Sequence, residues 1–410
     1  MKLDASKNPW LCAEPTRKLF AALPDGSARF VGGCVRNALL GEPVADLDIA
    51  TKLAPADVSK RLKTAGFAVH ETGIAHGTLT VVCVGSVFEI TSLRKDVSTD
   101  GRRATVAFTG DWSEDARRRD FTINALYADL DGQVYDPTGQ GLEDIKQRKI
   151  RFVGKAETRI EEDYLRILRF FRFNAWYTHD KAMDKDGLKA CRDLQAGLKT
   201  LSAERVWSEI KKLLSAPHPF RTVNVMLVSG ILETLLPEAS NAEGLQLLCA
   251  LETKKNLAPD PYLRLMAMSG RDELAMARLC RRLKMSNKEK ARLMHWAGDQ
   301  TSLTPDMLEK ETEIALYTAG RQVALDRAVL RAAGDAKQSA EWWLLYVAAK
   351  DWQKPEFPIT AKDLIALGIA HGPALGKAMR ALEALWIKSG FKVKKPQLLV
   401  AAKMLFRQLD

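Results

Sequence analysis

Two acidic side chains one residue apart, Asp46 and Asp48 around Leu47, follow a glycine turn and an arginine in Phe30-Val31-Gly32-Gly33-Cys34-Val35-Arg36. On a strand, alternate side chains share a face, so Asp46 and Asp48 project together while Leu47 and Ile49 point into a core. Two carboxylates on one face can hold a hard divalent cation. Gly32 and Gly33 permit a close backbone approach, and Arg36 supplies a cation; exposed N–H groups and a guanidinium both neutralise phosphate oxygens. A metal ion beside a triphosphate points to nucleotidyl transfer. A third carboxylate is available at Glu89, which alternates with Phe88 and Ile90 and so stands on a polar strand face. Asp46, Asp48 and Glu89 are therefore the expected catalytic metal ligands. Mg²⁺ is the expected ion, because it accepts carboxylate oxygens while keeping waters and substrate phosphates.

Two further segments carry chemistry. Arg117-Arg118-Arg119-Asp120-Phe121-Thr122-Ile123-Asn124 runs from an arginine cluster into an apolar stretch that reads as helix, with Asp120 and Asn124 at i, i+4. Such a face could bind ribose hydroxyls and phosphate; a helix-end salt bridge is the plainer alternative. In Glu161-Glu162-Asp163-Tyr164-Leu165-Arg166-Ile167-Leu168-Arg169-Phe170-Phe171-Arg172-Phe173, Leu165, Leu168 and an aromatic form one helical side, and Asp163, Arg166, Arg169 and Arg172 recur every three residues along another. Cytosine and adenine both present an amino donor beside a ring-nitrogen acceptor, the reverse of uracil and guanine. An aspartate that accepts and an arginine that donates therefore suit C and A. The mismatched bases would leave buried groups unpaired, worth roughly 10⁴-fold in discrimination. Arg169 and Arg172 could reach the triphosphate, and an i, i+3 ion-pair ladder is the competing account of the stripe.

The elements that must position these residues divide in two. The first third alternates strand-like segments (Arg29 to Val31, Asp46 to Thr51, Thr78 to Val84, Val87 to Leu93, Thr105 to Phe108) with a helix from Ala54 to Gly66. A hairpin turn at Gly85-Ser86 makes the sheet antiparallel or mixed. From about Arg159 the spacing is helical throughout, with proline breaks near Pro217, Pro259 and Pro355. The expectation is an α/β head with a mixed sheet followed by an all-α remainder.

The 410 residues, 46% of them hydrophobic, suffice for several cores. A net charge of +11 favours a polyanionic partner, although a basic enzyme without one has the same balance. Six scattered cysteines without CxxC pairs fit a reducing compartment and argue against structural zinc. Without a membrane-spanning apolar run or a leader-like N-terminus, a cytoplasmic protein is expected, with no membrane and no obligate protein partner.

Taken in order, these motifs resemble the class II tRNA nucleotidyltransferases, the CCA-adding enzymes, a family related to bacterial poly(A) polymerases within the polymerase-β-like superfamily. The resemblance is dense from Ala28 to Lys212. It implies a polymerase-β-like nucleotidyltransferase head at 1–150, a helical neck with base recognition at 151–215, a helical body at 216–353 and a helical tRNA-binding tail at 354–410. The Gly32-Gly33-Cys34-Val35-Arg36 turn with Asp46 and Asp48 is similar to the family's metal and phosphate motif. Arg118 to Ala125, with Arg119, Asp120 and Asn124, is similar to its ribose motif, and Glu162-Asp163-Tyr164-Leu165-Arg166 to its EDxxR protein template for CTP and ATP. Arg94 to Ala104 resembles the loop needed when specificity changes from CTP to ATP. Ser202-Ala203-Glu204-Arg205 resembles a neck-stabilising motif, which makes Glu204 and Arg205 structural. In the tail, Lys388, Lys392, Lys394 and Lys395, with Lys403 and Arg407, would hold a tRNA backbone. Asn37 departs from the family's usual aspartate, so a structural cap is expected there. His179-Asp180 superficially suggests a metal phosphohydrolase, but six histidines without a ligand cluster oppose it. The activity implied is addition of C, C and A to the tRNA 3′ end. Poly(A), CC-only or A-only addition is the neighbouring alternative, and a noncatalytic RNA-binding protein the alternative of a different class.

Overall fold

Strand β2 (Leu47–Thr51) pairs antiparallel with β1 (Ala28–Val31) on one side and parallel with β5 (Ser86–Ser92) on the other, so the sheet is mixed. The computed structural model describes residues 1–74, 77–83, 85–100, 103–179 and 181–406. Its remaining strands are β3 (Ala68–Gly73), β4 (Thr78–Cys83), β6 (Arg94–Asp100), β7 (Arg103–Phe108), β8 (Tyr127–Ala128) and β9 (Val134–Tyr135). Seven strands form one sheet in the order β3-β4-β5-β2-β1-β8-β9, and β6-β7 is a separate hairpin. The chain divides into two compact units, Met1–Pro237 and Glu238–Asp410.

Register explains the polar face. Phe30, Ile49, Ile90 and Leu79 are paired in one row across β1, β2, β5 and β4, each at most 1% exposed. Phe30 packs against Trp10 and Phe20 on that side. One residue along, Asp48 pairs with Glu89 and Glu89 with Thr80, so the carboxylates share the opposite face. Deeper on this second face, Ala50 and Val31 join a core with Leu93, Trp112, Ala125 and Tyr127. The β4-β5 hairpin matches the sequence expectation, whereas β2 begins at Leu47 and leaves Asp46 just before it.

The helical half agrees in kind and differs at two places near the chemistry. The arginine run ends the helix Trp112–Arg117; a turn follows, and only Thr122–Asn124 is helical, as a 3₁₀ turn. The expected continuous helix through Asp163 is two helices, Ala156–Glu162 and Leu165–Tyr177. Asp163 lies between them in extended conformation and accepts the Leu165 N–H at 3.1 Å, so it stands outside the helix that carries Arg166, Arg169 and Arg172. Arg94 to Ala104 falls on the β6-β7 hairpin, with Gly101 and Arg102 outside the described residues.

The second unit is helical among its described residues. At the proline break expected near Pro259, Asp260 caps the helix Pro261–Met268 through the Tyr262 and Leu263 N–H groups. Arg264 and Glu252 form a buried pair there at 2.7 Å. Towards the C-terminus, Trp386, Leu382, Leu364 and Leu398 form a core joining the helices Ala361–Ile365, Pro373–Lys388 and Lys395–Phe406.

Candidate active site

Gly32 has φ +72°, a conformation that disfavours any side chain, and it caps the helix Gly33–Leu40. A Cβ at Gly32 would stand 3.5 Å from Nη1 of Arg119; at Gly33 it would stand 3.8 Å from Nη2 of Arg36 and 3.9 Å from Oδ2 of Asp48. The turn therefore lies between two guanidinium groups and a carboxylate, with a helix N-terminus behind it.

Burial pushes the Asp48 carboxyl above the usual range, the Glu89 charge raises it further, and Arg119, Asp46 and Arg36 act more weakly. Among the described residues, none of Asp46, Asp48 and Glu89 has a side-chain ion pair, and no three acidic, His or Cys groups close into a metal cage. Three hard oxygen donors outside any ion pair among the described residues fit a divalent cation that completes its shell from water and phosphate oxygens. Cys34 is buried, donates to carbonyls of Val31 and Asp48, and is pushed up to about 11 by burial, so it is no thiolate nucleophile.

The arginines are anchored from behind. Arg119 bonds Asp115 at 3.0 Å and Tyr127 at 3.3 Å; burial opposes its charge, but Tyr127 and Asp115 outweigh it. Arg36, 7% exposed, donates to Asn124 Oδ1 (2.6 Å), Asn37 Oδ1 (2.8 Å) and the Tyr177 hydroxyl (2.7 Å), and lies 4.3 Å from the Tyr177 ring centre. Asn37 also donates to Pro43 O at 2.7 Å, closing the loop before β2. Asn124 Nδ2 donates to Asp120 Oδ1 at 3.0 Å, so these two face each other without a helix between them. Asp120 Oδ2 takes both Nε (2.8 Å) and Nη2 (2.5 Å) of Arg169, whose charge outweighs the upward effect of burial and holds the carboxyl low. Arg172 donates to Glu209 at 2.6 Å and stacks over Phe173.

At the break between the helices, Arg166 donates to Glu162 (2.5 Å) and to Arg159 O (2.8 Å), and Asp163 accepts from Arg205 (2.6 Å). Asp163 and Arg166 are thus held by other residues, and among the described residues the stripe does not form an i, i+3 ladder. Sequence reasoning missed Asp115, Tyr127, Tyr177 and Glu209. Asp115 was accessible from its i+3 and i+4 spacing to Arg118 and Arg119, while Glu209 is 37 residues from Arg172 and no local pattern links them.

In the tail, Lys388, Lys392 and Lys394 are exposed and without ion pairs among the described residues, and Lys395 pairs with Asp363 at 2.7 Å. Arg407 and Asp180 lie outside the described residues, and His179 contacts Arg148 at 2.8 Å.

A mixed sheet presenting paired carboxylates beside a glycine turn and an arginine-anchored helix defines a nucleotidyltransferase with a polymerase-β-like head. The family model described as the Poly A polymerase head domain matches residues 28–151, and that described as a probable RNA and SrmB-binding site of polymerase A matches 182–243. The mitochondrial CCA tRNA nucleotidyltransferase 1 of Danio rerio is 36% identical over 377 residues, covering 90% of this chain and 86% of that protein. The CCA-adding enzyme of Streptococcus pyogenes is 44% identical over 202 residues, 49% of this chain and 48% of that one. The solved CCA-adding enzyme of Bacillus stearothermophilus in complex with CTP superposes with TM-score 0.74 at 28% identity, covering 100% of this chain and 99% of that one. The chain belongs to the CCA tRNA nucleotidyltransferase family. No helix among the described residues is long and apolar enough to cross a membrane.

Proposed function

We propose that this chain adds C, C and A to the 3′ end of tRNA, using CTP and ATP and releasing pyrophosphate. The observation that carries the reading is the Asp48–Glu89 pair on one register row, with Asp48 Oδ2 beside the Gly32-Gly33 turn. Divalent metal ions belong to the chemistry of this family; Mg²⁺, held by Asp46, Asp48 and Glu89, would supply a lowered pKa at the attacking hydroxyl and neutralisation of the triphosphate. The Gly32 and Gly33 backbone approaches the phosphates, Arg119 adds charge at the turn, and Asp120 with Asn124 orients the ribose. Arg36, Arg169 and Arg172 hold this polar floor in register through Asn124, Asp120 and Glu209. Asp163 and Arg166 read the base edge, the first accepting from the amino group and the second donating to the ring nitrogen.

The same reading divides the chain into head (1–150), neck (151–215), body (216–353) and tail (354–410). Lys388, Lys392 and Lys394, with Lys395, contact the tRNA backbone. Six free cysteines suit a reducing, cytoplasmic site of action. The test is incorporation into a tRNA lacking its 3′ end, with CTP, ATP or both, resolved to single nucleotides. Two additions with CTP and a third only with ATP are expected; long A ladders, CC alone or no incorporation would each displace the assignment.

A further inference from the structure

In the second unit, the helices Ala242–Lys255, Pro261–Met268, Asn287–Gly298 and Arg321–Gly334 contribute to the walls of a cavity of about 420 Å³. Arg271, Arg327 and Arg331 line it against one carboxylate, Glu243. Arg327 is matched by Asp299 at 2.6 Å. Arg271 is held by carbonyls, those of Trp296 (3.2 Å) and Asp299, which fix its guanidinium without neutralising it. Arg331 makes no side-chain hydrogen bond or ion pair among the described residues. Burial first, and then the Arg327 and Arg331 charges, lower the Arg271 pKa, with Asp299 opposing, so cations here repel one another.

Two neutral donors belong to the same lining. Trp296 is 3% exposed and its Nε1 has no hydrogen-bond partner; Ser269 Oγ is likewise buried and unpartnered. Arg271 and Arg331, two guanidinium groups with no carboxylate partner among the described residues, are best held together by an added anion. Leu247, Met266 and Leu330 supply apolar surface beside them. None of these residues belongs to the carboxylate site of the first unit.

We propose that this cavity binds a small organic phosphate, with Arg271 and Arg331 on the phosphoryl group and the carbon skeleton against Leu247 and Leu330. Free N–H groups of two guanidinium groups suit a phosphoryl dianion. The volume falls in the range of small-molecule sites, about 300–1,000 Å³. A concave site of this size takes a phosphate that enters with its own small body; a duplex backbone is convex, and suits exposed lysines better.

The test is calorimetric titration of the full chain with ribose 5-phosphate, ribose and inorganic phosphate. Ribose 5-phosphate should bind saturably at one site and more tightly than inorganic phosphate, with ribose silent. Arg331→Gln, at an exposed position without a protein partner, should weaken binding by roughly tenfold or more. Leu247→Trp should block it by filling the mouth, since Leu247 is 40% exposed and its enlargement does not enter the core. No saturable binding overturns the proposal, as does binding that both variants leave unchanged. Loss of tRNA affinity in Arg331→Gln without ribose 5-phosphate binding to the parent chain would assign these arginines to RNA and also overturn it.

Discussion

Arg205 donates from Nη2 to Oδ2 of Asp163 at 2.6 Å, joining the first turn of the helix Ala203–Leu214 to the extended residue between two other helices. The other carboxylate oxygen accepts the Leu165 N–H, so the plane of the Asp163 carboxylate is fixed by two donors from different elements. A residue first read as structural therefore orients the group proposed to accept the base amino group.

Removing that donor should loosen base choice before it removes catalysis. Arg205→Ala is expected to raise KM for CTP and ATP by about tenfold, the scale of one charge-assisted hydrogen bond, and to raise UTP and GTP misincorporation. Arg205→Lys should recover part of the discrimination. Single-turnover incorporation with each of the four nucleotides measures this, and unchanged selectivity in Arg205→Ala would leave the contact with a purely structural role.

Asp48 should trade stability for activity. Burial and Glu89 hold its carboxyl pKa above the unfolded value, so the folded protein takes up this proton more readily. Its contribution to stability is full below the unfolded pKa and declines as pH rises through the raised folded value. At neutral pH Asp48→Asn should therefore raise Tm, while lowering incorporation by about a thousandfold or more through loss of a metal ligand. Mg²⁺ should raise the Tm of the parent chain and not that of Asp48→Asn. An equal Mg²⁺ shift in both proteins would place the ion elsewhere.

Local spacing carried much of this site. Alternation through Asp46 to Thr51 and Val87 to Leu93 put Asp48 and Glu89 on polar faces, and the i, i+4 spacing of Asp120 and Asn124 anticipated their contact. That contact survives without the expected helix, because a 3₁₀ turn also brings the two together. The stripe misled only at Asp163, since its period continues smoothly across a helix break that leaves Arg166, Arg169 and Arg172 together on the second helix. The strands β8 and β9, two residues each, are too short for any periodicity, and the Arg36–Tyr177 and Arg172–Glu209 contacts depend on tertiary packing.

Asp120 should behave oppositely to Asp48 with pH. Burial alone would raise its pKa, but the Arg169 charge and the Asn124 hydrogen bond outweigh that and depress it. Its stabilisation is present above the unfolded pKa and is lost as pH falls through the depressed folded value. Asp120→Ala should cost on the order of 2 kcal/mol at neutral pH, because it leaves Arg169 without its bidentate partner. Denaturant titrations should show the cost shrinking in acid; a cost that is constant across that range would mean the charge on Asp120 contributes nothing.

Arg264 and Glu252 supply a test within the second unit. Arg264 is 1% exposed and donates Nε (3.0 Å) and Nη2 (2.7 Å) to Glu252 Oε2, so each buried charge gains from the other. Glu252→Ala should destabilise the unit by roughly 3–5 kcal/mol, the usual scale for stranding a buried partner. The double replacement Glu252→Leu with Arg264→Met removes both charges together and should recover most of that loss, because desolvating the pair offsets much of its attraction. Unfolding of the single and double variants, with a coupling energy from the full cycle, distinguishes the two costs. Additive losses would mean that each side chain acts through packing alone.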